Sequence, residues 1–301
     1  MKVFVLAPRE DWICDRLASE WYENFSSIST RNPYEADVIW ILAGWCWNHL
    51  PQDLLTSKKV IVTEHHIVPE KFTTQKYQDF ILRDKFVDAY HVPNSKTKNL
   101  LSQLTKKPIV EICYWLNDKI WKPLEKSIAR DKLNISRDDF CVGSFQRDTE
   151  GHDLKTPKLE KGPDIFCDFI EKIEDKKLHV LLGGFRRQYV INRLEKKSIK
   201  YSLHENVEQS KIRELYAACD LYVVSSRFEG GPQAVIEAPA MKIPILSTDV
   251  GIASNILSSK CITDLTSFSV PVEEVEFNYV NVQKIKIDLI GQDYIRMFKG
   301  A

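Results

Sequence analysis

Short apolar runs alternate along this chain with longer stretches in which apolar and polar residues mix at helical spacing. The runs at 3–7, 38–43, 60–63, 89–92 and 109–113 predict strands in the first part. Those at 141–145, 179–182, 221–224 and 243–247 predict strands in the second. Helical patterns lie between them, as at 164–173 and 209–218. Strand and helix in alternation predict an α/β fold, with parallel sheets covered by helices on both faces. The segment 122–139, KPLEKSIARDKLNISRDD, interrupts the pattern with charge and with Pro123. It marks a boundary. The expected division is a first α/β domain over 1–122, a second over 123–283, and a closing helix over 284–301.

Composition sharpens this picture. The chain has 301 residues, enough for two cores, and all seven tryptophans fall at or before position 121. A tryptophan-rich half suits sugar or lipid faces, because indole rings stack on apolar ring faces and still donate a hydrogen bond. The competing reading is that the rings fill a core. Basic and acidic residues number 42 each, so no bulk charge points to nucleic acid. The seven cysteines include no CxxC pair and no zinc spacing, and several sit in apolar contexts that suit buried thiols. The opening MKVFVLAP reads as a first strand rather than a signal peptide. The apolar run at 38–47 is far short of a membrane span. A cytoplasmic protein fits.

One stretch, SSRFEGGPQAVIEAPAMKIPILSTDVG at 225–251, concentrates the chemistry. The strand 221–224 ends just before it, and open α/β sheets bind ligands beyond the carboxyl ends of their strands. Pro232 after Gly230 and Gly231 suits a helix start, so a helix over 232–241 is expected, with free N–H groups facing an anion. Glu229 precedes that helix and Glu237 lies within it, with seven residues between them. Carboxylates accept hydrogen bonds from vicinal hydroxyls such as those of a ribose. Two of them beside one helix end can grip hydroxyls on both sides of a bound phosphate. The plainer reading makes Glu237 a solvated side chain and Glu229 a turn residue. Arg147, after the strand at 141–145, and Lys161, opening the next helix, are the cations expected at the same edge.

The segment at 226–251 resembles the retaining glycosyltransferases of family 4, which have the GT-B fold. Their signature is a serine, two variable residues, Glu-Gly, and a second glutamate eight positions after the first. Here it reads SRFEGGPQAVIEAPAMKIPIL. The preceding KIRELYAACDLYVVSS is similar to the family's helix-to-strand approach, and GSFQRD with LEKGPDIF to its diphosphate site. VIVTEHHI and YHVPNSKTKNLL trace the resemblance into the first half. The resemblance implies two Rossmann-like domains with parallel sheets facing a cleft, and a closing helix over 284–301 that packs back on the first. It implies that Glu237 holds the nucleotide ribose, and that Glu229, with Gly230, Gly231 and Pro232, faces the donor sugar. Arg147 and Lys161 would neutralise the diphosphate. His65, or His66 beside it, would point into the cleft, and the base-contacting loop would fall near 204–207.

The chain also departs from the family. The glycine-rich loop after the first strand is replaced by Pro8-Arg9-Glu10-Asp11-Trp12, Tyr114-Trp115 stands where Asn-Gly is usual, and the link from Arg147 to Lys161 is long. The implied reaction moves a sugar from a UDP- or GDP-linked donor to the hydroxyl of a glycan, lipid-linked or small-molecule acceptor, with retention. No cofactor beyond the donor is implied. No Asp-x-Asp pair occurs, so no metal is expected. The alternatives are a related epimerase or phosphorylase, and a degenerate binder of nucleotide sugars. The basic stretch RRQYVINRLEKKSIK at 186–200 offers either a peripheral contact with the inner face of a membrane or a solvated helix face.

Overall fold

The computed structural model describes every residue except Trp12, His152, Lys176 and Ala301. It contains two compact units, Met1–Trp115 joined by the closing helix, and Leu116–Lys286. The first comprises β1 (Val3–Leu6), α1 (Ile13–Asn24), β2 (Val38–Ile41), α2 (Gln52–Ser57), β3 (Lys59–Thr63), α3 (Thr74–Asp84), β4 (Ala89–Val92), α4 (Ser95–Leu101) and β5 (Ile109–Glu111). The second runs α5 (Lys126–Leu133), β6 (Phe140–Ser144), α6 (Pro163–Ile170), β7 (Leu178–Gly183), α7 (Gln188–Lys196), β8 (Lys200–His204), α8 (Gln209–Ala218), β9 (Leu221–Val224), α9 (Ala234–Ala240), β10 (Ile245–Ser247), α10 (Ala253–Ile256) and α11 (Val275–Gln283). The closing helix is α12 (Ile287–Gly300).

The units part at 115/116 and 286/287, rather than at 122/123 and 283/284. Local bonding explains the shift. Leu116 N–H donates to Ile285 O at 2.8 Å, and the Trp121 ring packs edge-on against Tyr216 at 5.7 Å, so this segment belongs with the second unit.

In the first unit five parallel strands lie in the order β1-β2-β3-β4-β5. The register pairs Trp40 with Ile61 and Thr63 with His91, which places Trp40, Thr63 and His91 on one face. Trp21 of α1 and Tyr294 and Phe298 of α12 pack on Trp40 there, with centroids 5.3–5.5 Å away. Tyr90 points to the opposite face and stacks on Phe80 of α3. Helices thus cover both faces. Trp21, Trp40 and Trp115 are fully buried, so these rings build the core, and the sugar-facing reading fails for them. Trp45 is half exposed. Trp12 lies outside the described residues.

The second sheet has the order β10-β9-β6-β7-β8, all parallel. From β6 the chain adds β7 and β8 on one side, then returns to add β9 and β10 on the other. The junction of β6 and β9 is therefore a topological switch point, the position at which open α/β sheets hold ligands in a crevice. Val142, Val180, Leu182 and Val223 of the strands meet Phe166, Phe169 and Val190 of the helices in the core.

Nine of the ten strands fall on the expected runs, with ends moved by up to two residues. The strand without an apolar run is β8, KYSLH. It sits at the sheet edge, where only Tyr201 and Leu203 pack inward. The basic stretch before it forms α7, which buries Val190 and Leu194. Its Arg193 bonds to Asp168 and Glu171 at 2.8 and 2.6 Å. Those contacts favour the solvated-face reading of that stretch. Among the described residues no helix is long and apolar enough to cross a membrane. All seven cysteines are free thiols, and six are buried.

Candidate functional site

Two glycines let backbone segments close on each other at the rim of the second sheet. Gly162 has φ +61°, and a Cβ there would lie 1.8 Å from the Ser225 carbonyl oxygen. Only glycine fits both the left-handed backbone and the gap. The corner Lys161-Gly162-Pro163 therefore presses against the exit of β9. Gly251, at φ +56°, brings the turn after β10 against the Gly230 carbonyl in the same way.

This packing sets Lys161 beside Glu229. The Lys161 ammonium donates to Glu229 Oε1, both side chains being largely buried. The Ser226 hydroxyl lies 3.2 Å from the same Oε1 and 3.2 Å from Gln146 Oε1. Gln146 Nε2 donates to the Lys161 carbonyl at 2.8 Å. From below, the N–H groups of Arg227 and Phe228 donate to the Glu160 carbonyl at 2.8 and 3.1 Å. The loops after β6 and β9 and the start of α6 are thereby one bonded frame around a lysine and a glutamate.

Glu237 is 4% exposed, which excludes a solvated side chain. A buried carboxylate is costly unless donors reach it. Tyr216 of α8 supplies one, its hydroxyl donating to Glu237 Oε2 at 2.9 Å. Helix α9 begins at Ala234, not at Pro232. Pro232 lies in the preceding turn and its carbonyl accepts from Val235 N–H at 2.9 Å. The proline shapes the approach to the helix instead of opening it.

Arg147 follows β6 by three residues. Its guanidinium lies 5.9 Å from the Phe185 ring centre. Burial and the neighbouring Arg186 charge hold its pKa below the usual arginine range, with Glu160 and Glu150 opposing. Arg147 therefore stands near charges of both signs. Among the described residues no group of three or more histidines, cysteines and acids could hold a metal ion.

The histidines expected beside the donor lie in the other unit. His65 follows β3, and its ring is held on both sides. Nε2 lies 2.6 Å from the Leu42 carbonyl, and Nδ1 meets the Tyr114 hydroxyl. With Nε2–H donating to the carbonyl, Nδ1 accepts from the tyrosine. His66 is half-buried. The substitution of Tyr114-Trp115 for Asn-Gly thus has a local use: Tyr114 holds His65, and Trp115 Nε1 donates to buried Glu20 at 2.6 Å.

Sequence reasoning missed Gln146 and Tyr216, and it reached Ser226 only as the serine of the signature, with no contact assigned to it. Gln146 adjoins Arg147, so adjacency was the available signal. Tyr216 carried none, because a tyrosine in an amphipathic helix reads as core.

Comparison with known proteins fits this geometry. Residues 154–276 match the family model described as "Glycosyl transferases group 1". That stretch contains Lys161, Glu229 and Glu237 but not Arg147. Over 97 residues the chain is 32% identical to TuaC of Bacillus subtilis, named as a glycosyltransferase of teichuronic acid biosynthesis. The aligned part is 32% of this chain and spans about a quarter (24%) of TuaC. Among solved structures, Anabaena HepE in complex with UDP superposes with a TM-score of 0.73, at 13% identity over 100% of both chains. Its UDP-glucose complex gives 0.73 at 14% identity, over 100% of this chain and 99% of HepE. Sucrose-phosphate synthase of Thermosynechococcus elongatus gives 0.68 at 16% identity, over 98% of this chain and 81% of that one. At such identities the likeness establishes the fold, which is α/β with two parallel sheets and has GT-B glycosyltransferases as its structural neighbours.

Proposed function

We propose that the protein is a glycosyltransferase that moves a sugar, a hexosyl group, from a nucleoside diphosphate donor to an acceptor hydroxyl with retention. The observation that carries this reading is the Lys161–Glu229 contact at the β6–β9 switch point. A diphosphate entering that crevice competes with Glu229 for the lysine. As Lys161 turns to the diphosphate, Glu229 becomes available to accept from hydroxyls of the donor sugar. Arg147 adds the second cation, Glu237 takes the ribose diol, and the amides of Gly230 and Gly231 face the sugar. HepE, crystallised with UDP and with UDP-glucose, supports UDP-linked donors as the first to test.

In the proposed step the bond from the anomeric carbon to the diphosphate oxygen breaks. A bond to the acceptor oxygen forms on the same face, and the acceptor proton passes to the departing phosphate. Lys161 and Arg147 stabilise the charge that develops on the leaving group, so the reaction proceeds without a metal ion. His65 is kept as a catalytic candidate through the resemblance of VIVTEHHI to the family's first domain.

The test is donor hydrolysis. The protein is mixed with UDP- and GDP-linked sugars and free nucleotide is measured. Slow release from one donor is expected, falling about 100- to 1,000-fold in Lys161→Ala and Glu229→Ala. Equal release by both variants overturns the site. Nucleotide binding without release from any donor overturns the transferase reading in favour of a binding protein.

A further inference from the structure

We infer that Phe185 is the platform on which the nucleobase of the donor stacks. This inference rests on the glycosyltransferase reading and assigns a residue to the far end of the same ligand. Phe185 stands just beyond β7 at the carboxyl rim, and it is 37% exposed. An exposed phenylalanine in a mobile loop would carry no argument. This one is mounted on a fixed ledge.

The ledge is bonded from three directions. Gly184, at φ +86°, turns the chain after β7, and its N–H donates to the His204 carbonyl at the end of β8, 3.0 Å away. On the other side the Arg186 carbonyl accepts from Asp148 N–H at 3.1 Å and from the Thr149 hydroxyl at 3.2 Å. Beneath it lies Arg187, wholly buried. Its guanidinium donates to the carbonyls of Ser144 and Gly183 and, from Nε, to Asp148 Oδ2 at 3.0 Å. Asp148 Oδ1 in turn accepts from Tyr189 N–H at 3.2 Å. A buried ion pair is costly to desolvate and contributes little net stability over apolar packing. What this one does is join the ends of β6 and β7, so that the loop carrying Arg147 and the loop carrying Phe185 keep one relative position.

The neighbours of the ring select its ligand. The guanidiniums of Arg147 and Arg186 lie 5.9 and 5.5 Å from its centre. Arg147 is assigned to the diphosphate. The strand order β9-β6-β7 places Phe185 on the side of Arg147 away from Glu229 and the donor sugar. An anionic ligand with a flat ring at one end therefore finds, in order along the rim, a site for sugar hydroxyls, cations for its phosphates, and an aromatic face. A nucleoside diphosphate sugar has that sequence of parts. His204, tied to the ledge, begins the loop assigned to base contact, so the ring face and the edge-reading loop adjoin.

The experiment measures the affinity of the full chain for UDP, GDP and inorganic pyrophosphate by calorimetry. Because Phe185 is exposed, Phe185→Ala is expected to fold normally. It should bind the preferred nucleotide about 5- to 100-fold more weakly, the range for losing one base–aromatic stack. Pyrophosphate affinity should not change, and Phe185→Trp should keep nucleotide affinity. Unchanged nucleotide affinity in Phe185→Ala overturns this assignment alone. So does an equal loss for pyrophosphate, which would mean that the ring acts only by holding Arg147. A wild type that binds neither nucleotide nor pyrophosphate overturns both this inference and the reading beneath it.

Discussion

His65 follows β3 in the first sheet, and Arg147 follows β6 in the second; both stand just past a buried parallel strand, yet their surroundings treat them differently. His65 is fixed by the Leu42 carbonyl and the Tyr114 hydroxyl. Arg147 stands among Arg186, Glu160 and Glu150, with Phe185 nearby. The same contrast runs through the two units. In the first, polar side chains close short circuits inside an aromatic core: Trp40 Nε1 donates to Thr63, Thr63 meets His91 Nδ1 at 3.0 Å, and His91 Nε2 lies 2.8 Å from the Ile112 carbonyl. In the second, the bonded frame leads outward to charges at a switch point. Buried polar groups in the core of the first unit hold its shape, and those at the rim of the second are the ones we propose to meet a ligand.

Removing a ring from the first core should separate these roles most strongly. Trp40 is buried among Trp21, Trp115, Tyr294 and Phe298. Trp40→Ala should destabilise the first unit by about 3–5 kcal/mol in urea unfolding, the range for large aromatic truncations. Nucleotide affinity measured well below the unfolding transition should not change. A parallel fall in affinity would break the division of labour.

A pH titration probes the same core with a smaller effect. Burial is the main cause that pushes the His91 pKa down to about 3, with His65 adding to it and the Ile112 carbonyl opposing. The folded chain therefore keeps this imidazole neutral, while the unfolded chain protonates it near 6.5. Between those values the unfolded state holds the extra proton, so stability rises with pH by up to about 1.4 kcal/mol per unit. From pH 6 to pH 4.5 the wild type should lose about 2 kcal/mol more than His91→Gln does. Equal pH slopes would show that His91 is not held neutral in the fold.

How far the sequence discloses this contrast depends on what each signal is made of. Apolar runs report burial, so the strands with continuous runs were legible, while β8, half-covered at an edge, was not. Glu229 and Glu237 stand in one glycine-punctuated segment, and its resemblance to a family motif, with that of LEKGPDIF, singles out these two and Lys161 where spacing alone leaves them open. Tyr216 and Arg187 act through partners far along the chain, Glu237 being 21 residues from the first and Asp148 39 from the second. Nothing near either residue marks it. The tryptophans stay open between two readings in the sequence, because ring count cannot distinguish a core from a binding face. That distinction depends on the register that turns Trp40 toward α1 and α12.

The smallest expected effect tests whether buried polar groups in the second unit serve the ligand and not only the fold. Tyr216 packs edge-on against Phe145 and lies close to Tyr222, each at 4.9 Å, so Tyr216→Phe keeps the ring contacts and removes only the hydroxyl. The Glu237 carboxylate then loses one donor. Some stability should go with it, as for any buried bond to a charged group, and a structural role would predict no more than that. A positioning role predicts a further change. If Tyr216 aims Glu237 at the ribose, the wild type should prefer UDP over 2′,3′-dideoxy-UDP, and the variant should narrow that preference about three- to tenfold. Because the dideoxy nucleotide lacks the diol, its affinity should hardly move, and the narrowing should come from weaker UDP binding. A variant that loses stability but keeps the full preference would reduce Tyr216 to a packing residue. The second unit would then be closer in kind to the first than its rim of charges suggests.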